Sequence, residues 1–90
     1  LGRVAEPEVF LYTSVGCHLC EQAETLLQQL LGSSYSELSL VEVSDSDELM
    51  RRYALRIPVL AGTAADGEWL ELGWPFGVEE LKAFFSRIEP

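Results

Sequence analysis

Apolar and polar residues follow two different periods along this chain, and the switches between the periods mark its elements. Val9-Phe10-Leu11-Tyr12, inside residues 8–13, is a β-branched and aromatic run that predicts a mostly buried strand. Beyond Ser14-Val15-Gly16, where glycine lets the backbone turn sharply, the period changes. Leu19, Ala23, Leu26, Leu27, Leu30 and Leu31 form one stripe at helical spacing, with Glu21, Gln22, Glu24, Gln28 and Gln29 on the other face. This helix starts at or near Cys17 and ends at Gly32 and Ser33-Ser34.

Leu38-Ser39-Leu40-Val41-Glu42-Val43 reads as a second strand, reached through a helix as a parallel crossover requires. Ser44-Asp45-Ser46-Asp47-Glu48 offers hydroxyls and acids that cap a short helix, whose inner positions are Leu49, Met50, Tyr53 and Ala54. Arg56 to Ala61 is a third strand, with Pro58 at its beginning or edge because proline cannot donate to a ladder. Ala65-Asp66-Gly67 turns the chain, and Glu68 to Leu72 returns as a fourth strand, closing an antiparallel hairpin over residues 57–72. Gly73-Trp74-Pro75-Phe76-Gly77 breaks the pattern, and Val78, Leu81, Phe84, Phe85 and Ile88 stripe a last helix. The order β-α-β-α-β-β-α predicts an α/β fold, a mixed four-stranded sheet with helices on both faces.

Composition narrows the partners. Ninety residues, 48% of them apolar, build one core, so residues 8–90 are expected to be a single domain. Leu1 to Pro7 lacks a period and is expected to be a flexible leader; it has neither the basic nor the apolar region of an intact signal peptide. Fifteen acids against six bases give a net charge of −9, with no basic cluster beyond Arg51-Arg52 and Arg56. Nucleic acid is therefore excluded as an expected partner. No apolar run is long enough to span a membrane, so none is expected as a partner either.

The two cysteines, Cys17 and Cys20, close too short a loop to staple the chain, so the pair reads as chemical rather than structural. A single Cys-x-x-Cys suits a reducing compartment, and a cytoplasmic location is expected. At a helix N-terminus, unpaired N–H groups and the positive end of the dipole favour thiolate over thiol. Cys17 sits at that end and is expected to attack a disulfide; Cys20, one turn on and more buried, then resolves the mixed disulfide. Glu21 and Glu24 oppose the thiolate, so only a moderate lowering of the Cys17 pKa is expected. His18, when protonated, would modulate the thiolate, or else it is simply an exposed polar residue. Two other readings of the pair stay open. One is free cysteines buried as small hydrophobes; the other is a zinc or iron–sulfur site shared across a dimer, since one chain lacks four ligands. No metal ligand is assigned.

Taken together, Gly16-Cys17-His18-Leu19-Cys20 after a strand, Arg56-Ile57-Pro58-Val59 ahead of a hairpin, and Trp74-Pro75-Phe76 before the last helix carry a resemblance. Over about residues 8–88 the chain resembles the thioredoxin fold, a three-layer sandwich. Within that fold it is most similar to the small glutaredoxin-like proteins, and among those to the group with Gly-Cys-His-Leu-Cys and a Trp-Pro-Phe loop. The resemblance implies a cis Ile57–Pro58 bond beside the cysteines, which frees the Ile57 backbone to pair with an extended substrate; Ile57, Pro58 and Trp74 are the expected substrate-binding residues. The residues alone also allow a trans proline starting an edge strand. Trp74 and Phe76 either pack beneath the last helix or wall the site. Three departures stand out: His18-Leu19 replaces the family's usual proline and aromatic, Ser14-Val15-Gly16 lacks its basic residue, and the Trp74 loop replaces its Gly-Gly pair and acid. The expected activity is that of an enzyme, a thiol-disulfide oxidoreductase. It would act as a monomer on a protein or low-molecular-weight disulfide, with no bound cofactor and glutathione as a candidate co-substrate. The contrasting class is a binding or adaptor module with little redox turnover.

Overall fold

Strand β1 (Val9–Thr13) alternates buried and half-buried residues, so both of its faces are covered. A computed structural model describes residues 8–88 of the chain; the leader assigned to residues 1–7 lies outside the described residues. After β1 come α1 (His18–Leu31), β2 (Ser39–Glu42), α2 (Asp47–Tyr53), β3 (Val59–Thr63), β4 (Trp69–Gly73) and α3 (Val78–Ile88). Short 3-10 turns, Gly32–Glu37 and Val43–Asp45, bracket β2.

The strands form one sheet in the order β2-β1-β3-β4. β1 and β2 run parallel, with Leu11 beside Leu40 and Thr13 beside Glu42. β3 runs antiparallel to β1, pairing Leu11 with Leu60 and Tyr12 with Val59, and β4 is antiparallel to β3. Alternation along a strand sends successive side chains to opposite faces. Val9, Leu11 and Leu60 therefore share one face, where they pack with Ala23 and Leu27 of α1 and Leu81, Phe84 and Ile88 of α3. Tyr12 and Val59 point to the other face and meet Val43, Leu49 and Tyr53. The order is the expected β-α-β-α-β-β-α, and helices cover both faces of a mixed four-stranded sheet. Gly62 in the middle of β3 is a close-approach glycine: an added Cβ would lie 3.1 Å from Ile88 Cδ1 and 3.3 Å from the Glu8 carbonyl oxygen.

Several boundaries and faces differ from those the pattern predicts. β3 begins at Val59 and extends to Thr63, because its pairing to β1 starts at Tyr12; Pro58 precedes the ladder. Met50 is 42% exposed rather than inner. With only two turns, α2 buries the stripe through Leu49 and Tyr53, four apart, and Met50 falls off it. Val78, at the first turn of α3, is likewise exposed. The cap of α2 is Ser46, whose hydroxyl accepts the Leu49 N–H at 3.2 Å.

Glu71 joins β4 to the end of α2. Its carboxylate accepts the Tyr53 hydroxyl at 2.6 Å, Arg56 Nη2 at 2.6 Å and Trp69 Nε1 at 3.0 Å. The Tyr53 ring stacks on Tyr12 at 4.2 Å and has the Arg56 guanidinium 5.2 Å from its centroid. The Tyr53 hydroxyl, ahead of Arg56 and Trp69, holds the Glu71 carboxyl down at about 2 against an ordinary 4.5, while burial pushes the Tyr53 hydroxyl up. A depressed carboxyl contributes stability that is present above pH 4.5 and lost as the pH falls toward 2. Tyr53→Phe removes one donor to a charged acceptor and is expected to cost about 1–2 kcal/mol at neutral pH in urea unfolding. The same variant should lose less stability than the parent between pH 4.5 and 2, because less of the carboxyl's stabilisation remains to be titrated away.

Candidate active site

The chain leaves the sheet at the C-terminal end of β1 and turns back into α1 within four residues, Ser14 to Cys17. Gly16 makes that turn at φ 79°, where a side chain would be strained. The Cys17 N–H donates to the Ser14 carbonyl at 3.2 Å, closing the turn. Cys17 is the N-cap of α1: its backbone is extended (φ −84°, ψ 107°), and its Sγ accepts the Cys20 N–H at 3.2 Å. A sulfur in that seat takes the place of the usual capping oxygen, and its anion is favoured by the orphan N–H groups behind it.

Cys17 and Cys20 are joined in a disulfide, with Cα atoms 5.2 Å apart. The pair is asymmetric: Cys17 is half-buried and Cys20 is 1% exposed. Cys20 faces the core on the same helical side as Ala23 and Leu27. His18 points outward, with Nδ1 3.7 Å from Glu21 Oε1. Of the two acids near the cysteines, Glu21 thus faces His18, and Glu24 accepts the Tyr35 hydroxyl at 3.2 Å. Leu19, at the head of the apolar stripe, is 45% exposed and borders the cysteines instead of entering the core, and Val15 on the preceding loop is 91% exposed.

The Ile57–Pro58 and Trp74–Pro75 bonds are both cis. Extending the β1–β3 register one residue beyond Tyr12–Val59 brings Thr13 level with Pro58. On the other side of Pro58 the Trp74 N–H donates to the Pro58 carbonyl at 3.1 Å. Glu42, Thr13, Pro58 and Trp74 thus form a row across the end of the sheet from which the cysteine loop departs. The Ile57 N–H donates to the Tyr53 carbonyl at 3.0 Å, and its carbonyl has no backbone partner among the described residues. Phe76 enters the core (5% exposed), whereas Trp74 stays half-buried, edge-on to Phe76 at 5.1 Å. Among the described residues no group of three or more His, Cys, Asp or Glu could hold a metal ion, and no helix is long and apolar enough to cross a membrane.

Sequence reasoning missed Glu42. Its Oε2 accepts the Ser14 hydroxyl at 2.7 Å and the Ser44 hydroxyl at 2.8 Å, and its Oε1 accepts the Val15 N–H at 2.9 Å. The Ser14 bond, then the Ser44 bond, holds its carboxyl down at about 2. The one available signal was an acid at the end of a strand otherwise made of apolar residues and serine.

The family model described as "Glutaredoxin-like domain (DUF836)" matches residues 8–86. The chain belongs to this family. As a glutaredoxin-like domain it is similar to the target protein XcR50 from X. campestris, at 35% identity over 87% of this chain and 95% of that one, with a TM-score of 0.68. It is also similar to protein Ne2328 from Nitrosomonas europaea, at 26% identity over 93% and 96% of the two chains, with a TM-score of 0.66. No curated protein matches it. The fold is the thioredoxin-like α/β arrangement, and a glutaredoxin-like domain with a Cys17–Cys20 pair at the head of α1 fits a thiol redox role.

Proposed function

We propose that this glutaredoxin-like domain is a dithiol oxidoreductase of the subgroup with Gly-Cys-His-Leu-Cys and a Trp-Pro-Phe loop. The observation that carries the reading is the asymmetry of the pair: a half-buried Cys17 sulfur capping α1, and Cys20 sealed in the core at 1% exposure. In the reduced protein the Cys17 thiolate attacks one sulfur of a substrate disulfide. The Cys17–substrate bond forms, the substrate S–S bond breaks, and one substrate thiolate departs with a proton from solvent. The Cys20 sulfur, deprotonated, then attacks Cys17 and releases the second substrate thiol. The substrate gains two electrons and the protein is left as the Cys17–Cys20 disulfide. Two thiols of a reductant, a glutathione pair or a protein dithiol, reverse these steps.

The surroundings favour a protein disulfide over glutathione. Ser14, Val15, Gly16, His18 and Leu19 flank Cys17 without a lysine or arginine to take a tripeptide's carboxylates. Exposed Val15 and Leu19 instead offer apolar contact, and the Ile57 carbonyl and Trp74 offer an extended chain one acceptor and one wall. The working form is a monomer in a reducing, cytoplasmic compartment.

The test is a trapping experiment with Cys20→Ser, which stops the cycle at the mixed disulfide. The variant is incubated separately with a disulfide-bonded protein and with a glutathione redox buffer, quenched with acid and weighed by mass spectrometry. A protein adduct on Cys17 is expected. A glutathione adduct in the second arm makes glutathione a co-substrate as well. An unmodified Cys17 in both arms overturns the reading and leaves the binding-module class.

A further inference from the structure

We propose that Glu42 is a positioning residue for Cys17: a carboxylate at the end of β2 that ties the loop before the reactive sulfur to the turn before α2. The inference rests on the oxidoreductase reading of Cys17 but concerns a residue nothing above assigns to the reaction. Glu42 stands beside Thr13 in the parallel register, so it reaches the loop as soon as β1 ends. On one side it accepts the Ser14 hydroxyl and the Val15 N–H. On the other it accepts the Ser44 hydroxyl at 2.8 Å and the Ser44 N–H at 3.2 Å. The Ser14 carbonyl in turn accepts the Cys17 N–H at 3.2 Å. Two bonds thus separate Glu42 from the backbone of the nucleophile.

The loop has little else to hold it. Val15 and Gly16 are exposed, and Gly16 occupies the left-handed region, where a free chain samples many states. No other side chain bonds to this loop among the described residues. A sulfur that must sit over the helix N-terminus to gain its N–H contacts depends on the loop that delivers it. The carboxylate has a second effect of opposite sign, since its charge disfavours a nearby thiolate. Positioning dominates here, because the donors on the carboxylate, three on Oε2 and one on Oε1, all come from the loop or the turn and orient it between them.

Glutamine, aspartate and alanine separate the two effects. Glu42→Gln keeps the length and one accepting oxygen but loses the charge. Glu42→Asp keeps the charge but is one methylene too short to span both loops. The readout is the pH profile of Cys17 alkylation by iodoacetamide in Cys20→Ser protein, with His18 and Glu21, the titratable groups at that end of α1, left in place. Relative to the Glu42 parent, Glu42→Asp and Glu42→Ala should alkylate roughly tenfold more slowly at pH 7, their profiles moved to higher pH, with Glu42→Gln between. If charge governs, Glu42→Gln and Glu42→Ala become faster and Glu42→Asp matches the parent, which overturns the proposal; so does an unchanged profile in all three. Should any variant unfold, Ser14→Ala removes the loop-side hydroxyl and is expected to slow alkylation, and Ser44→Ala, which leaves the Ser44 N–H on the carboxylate, to slow it less; a Ser14→Ala profile equal to the parent's overturns the proposal as well. Alkylation needs no turnover, so the exchange reading can fail in the trapping experiment without deciding this one.

Discussion

Cys17→Ser is expected to abolish disulfide exchange, with a rate at least about a thousandfold below the parent's. A serine hydroxyl stays protonated at neutral pH and does not attack sulfur as a thiolate does. The fold is not at risk, since serine is among the best N-caps and can accept the same N–H that Cys17 Sγ now takes from Cys20. The two single-cysteine proteins should also part in their labelling by iodoacetamide. Cys20→Ser leaves the half-buried Cys17 and labels quickly; Cys17→Ser leaves Cys20, 1% exposed, and labels only as fast as the first turn of α1 opens. Retention of more than about a tenth of the exchange rate by Cys17→Ser, or equal labelling of the two variants, contradicts the assigned roles.

How far the sequence reaches depends on whether a feature is local. The stripe from Ala23 to Leu31, the apolar run in β1 and the cysteine pair at their junction are all set within a few residues, and the structure has them where the periods place them. The element order and mixed sheet follow, because connection lengths and crossover rules leave few arrangements. The Gly32–Glu37 turn escaped notice because its run of glycine, serines and tyrosine carries no period. Phe76 and Trp74 are both large aromatics two residues apart, and local pattern cannot say that Phe76 alone enters the core. The two carboxylates that tie the loops together are the clearest case. Glu42 and Glu71 each look like solvent-facing residues of a strand, yet their donors lie up to 28 and 18 residues away, at Ser14 and Tyr53. Only the folded chain brings these donors to the carboxylates. The cysteine pair and its seat at the head of α1 were therefore legible in the chain, while the carboxylates that tie the loops were not.

Those parts rest on a core whose failure should be just as visible. Leu60→Ala is expected to cost about 3 kcal/mol, lowering Tm by on the order of 15 °C. Leu60 lies in a central strand, between Leu11 of β1 and Leu72 of β4, and is fully buried. Around it are Ala23 and Leu27 of α1 and Leu81, Phe84 and Ile88 of α3. A cavity there is walled by two strands and two helices from separate parts of the chain, so no single element can move in to close it, and the removed contacts are not regained. Leu40→Ala serves as the comparison, since Leu40 is 51% exposed and its loss should fall within about 0.5 kcal/mol. Urea unfolding of both variants measures the contrast, and a Leu60→Ala cost below about 1 kcal/mol would contradict a core built on this residue. The same variant tests how the site is supported. Well below its lowered Tm, the Cys17 loop still has Glu42 and the end of β1 beneath it. Leu60→Ala should therefore keep the parent's Cys17 alkylation profile while losing stability, the reverse of what Glu42→Asp is expected to do.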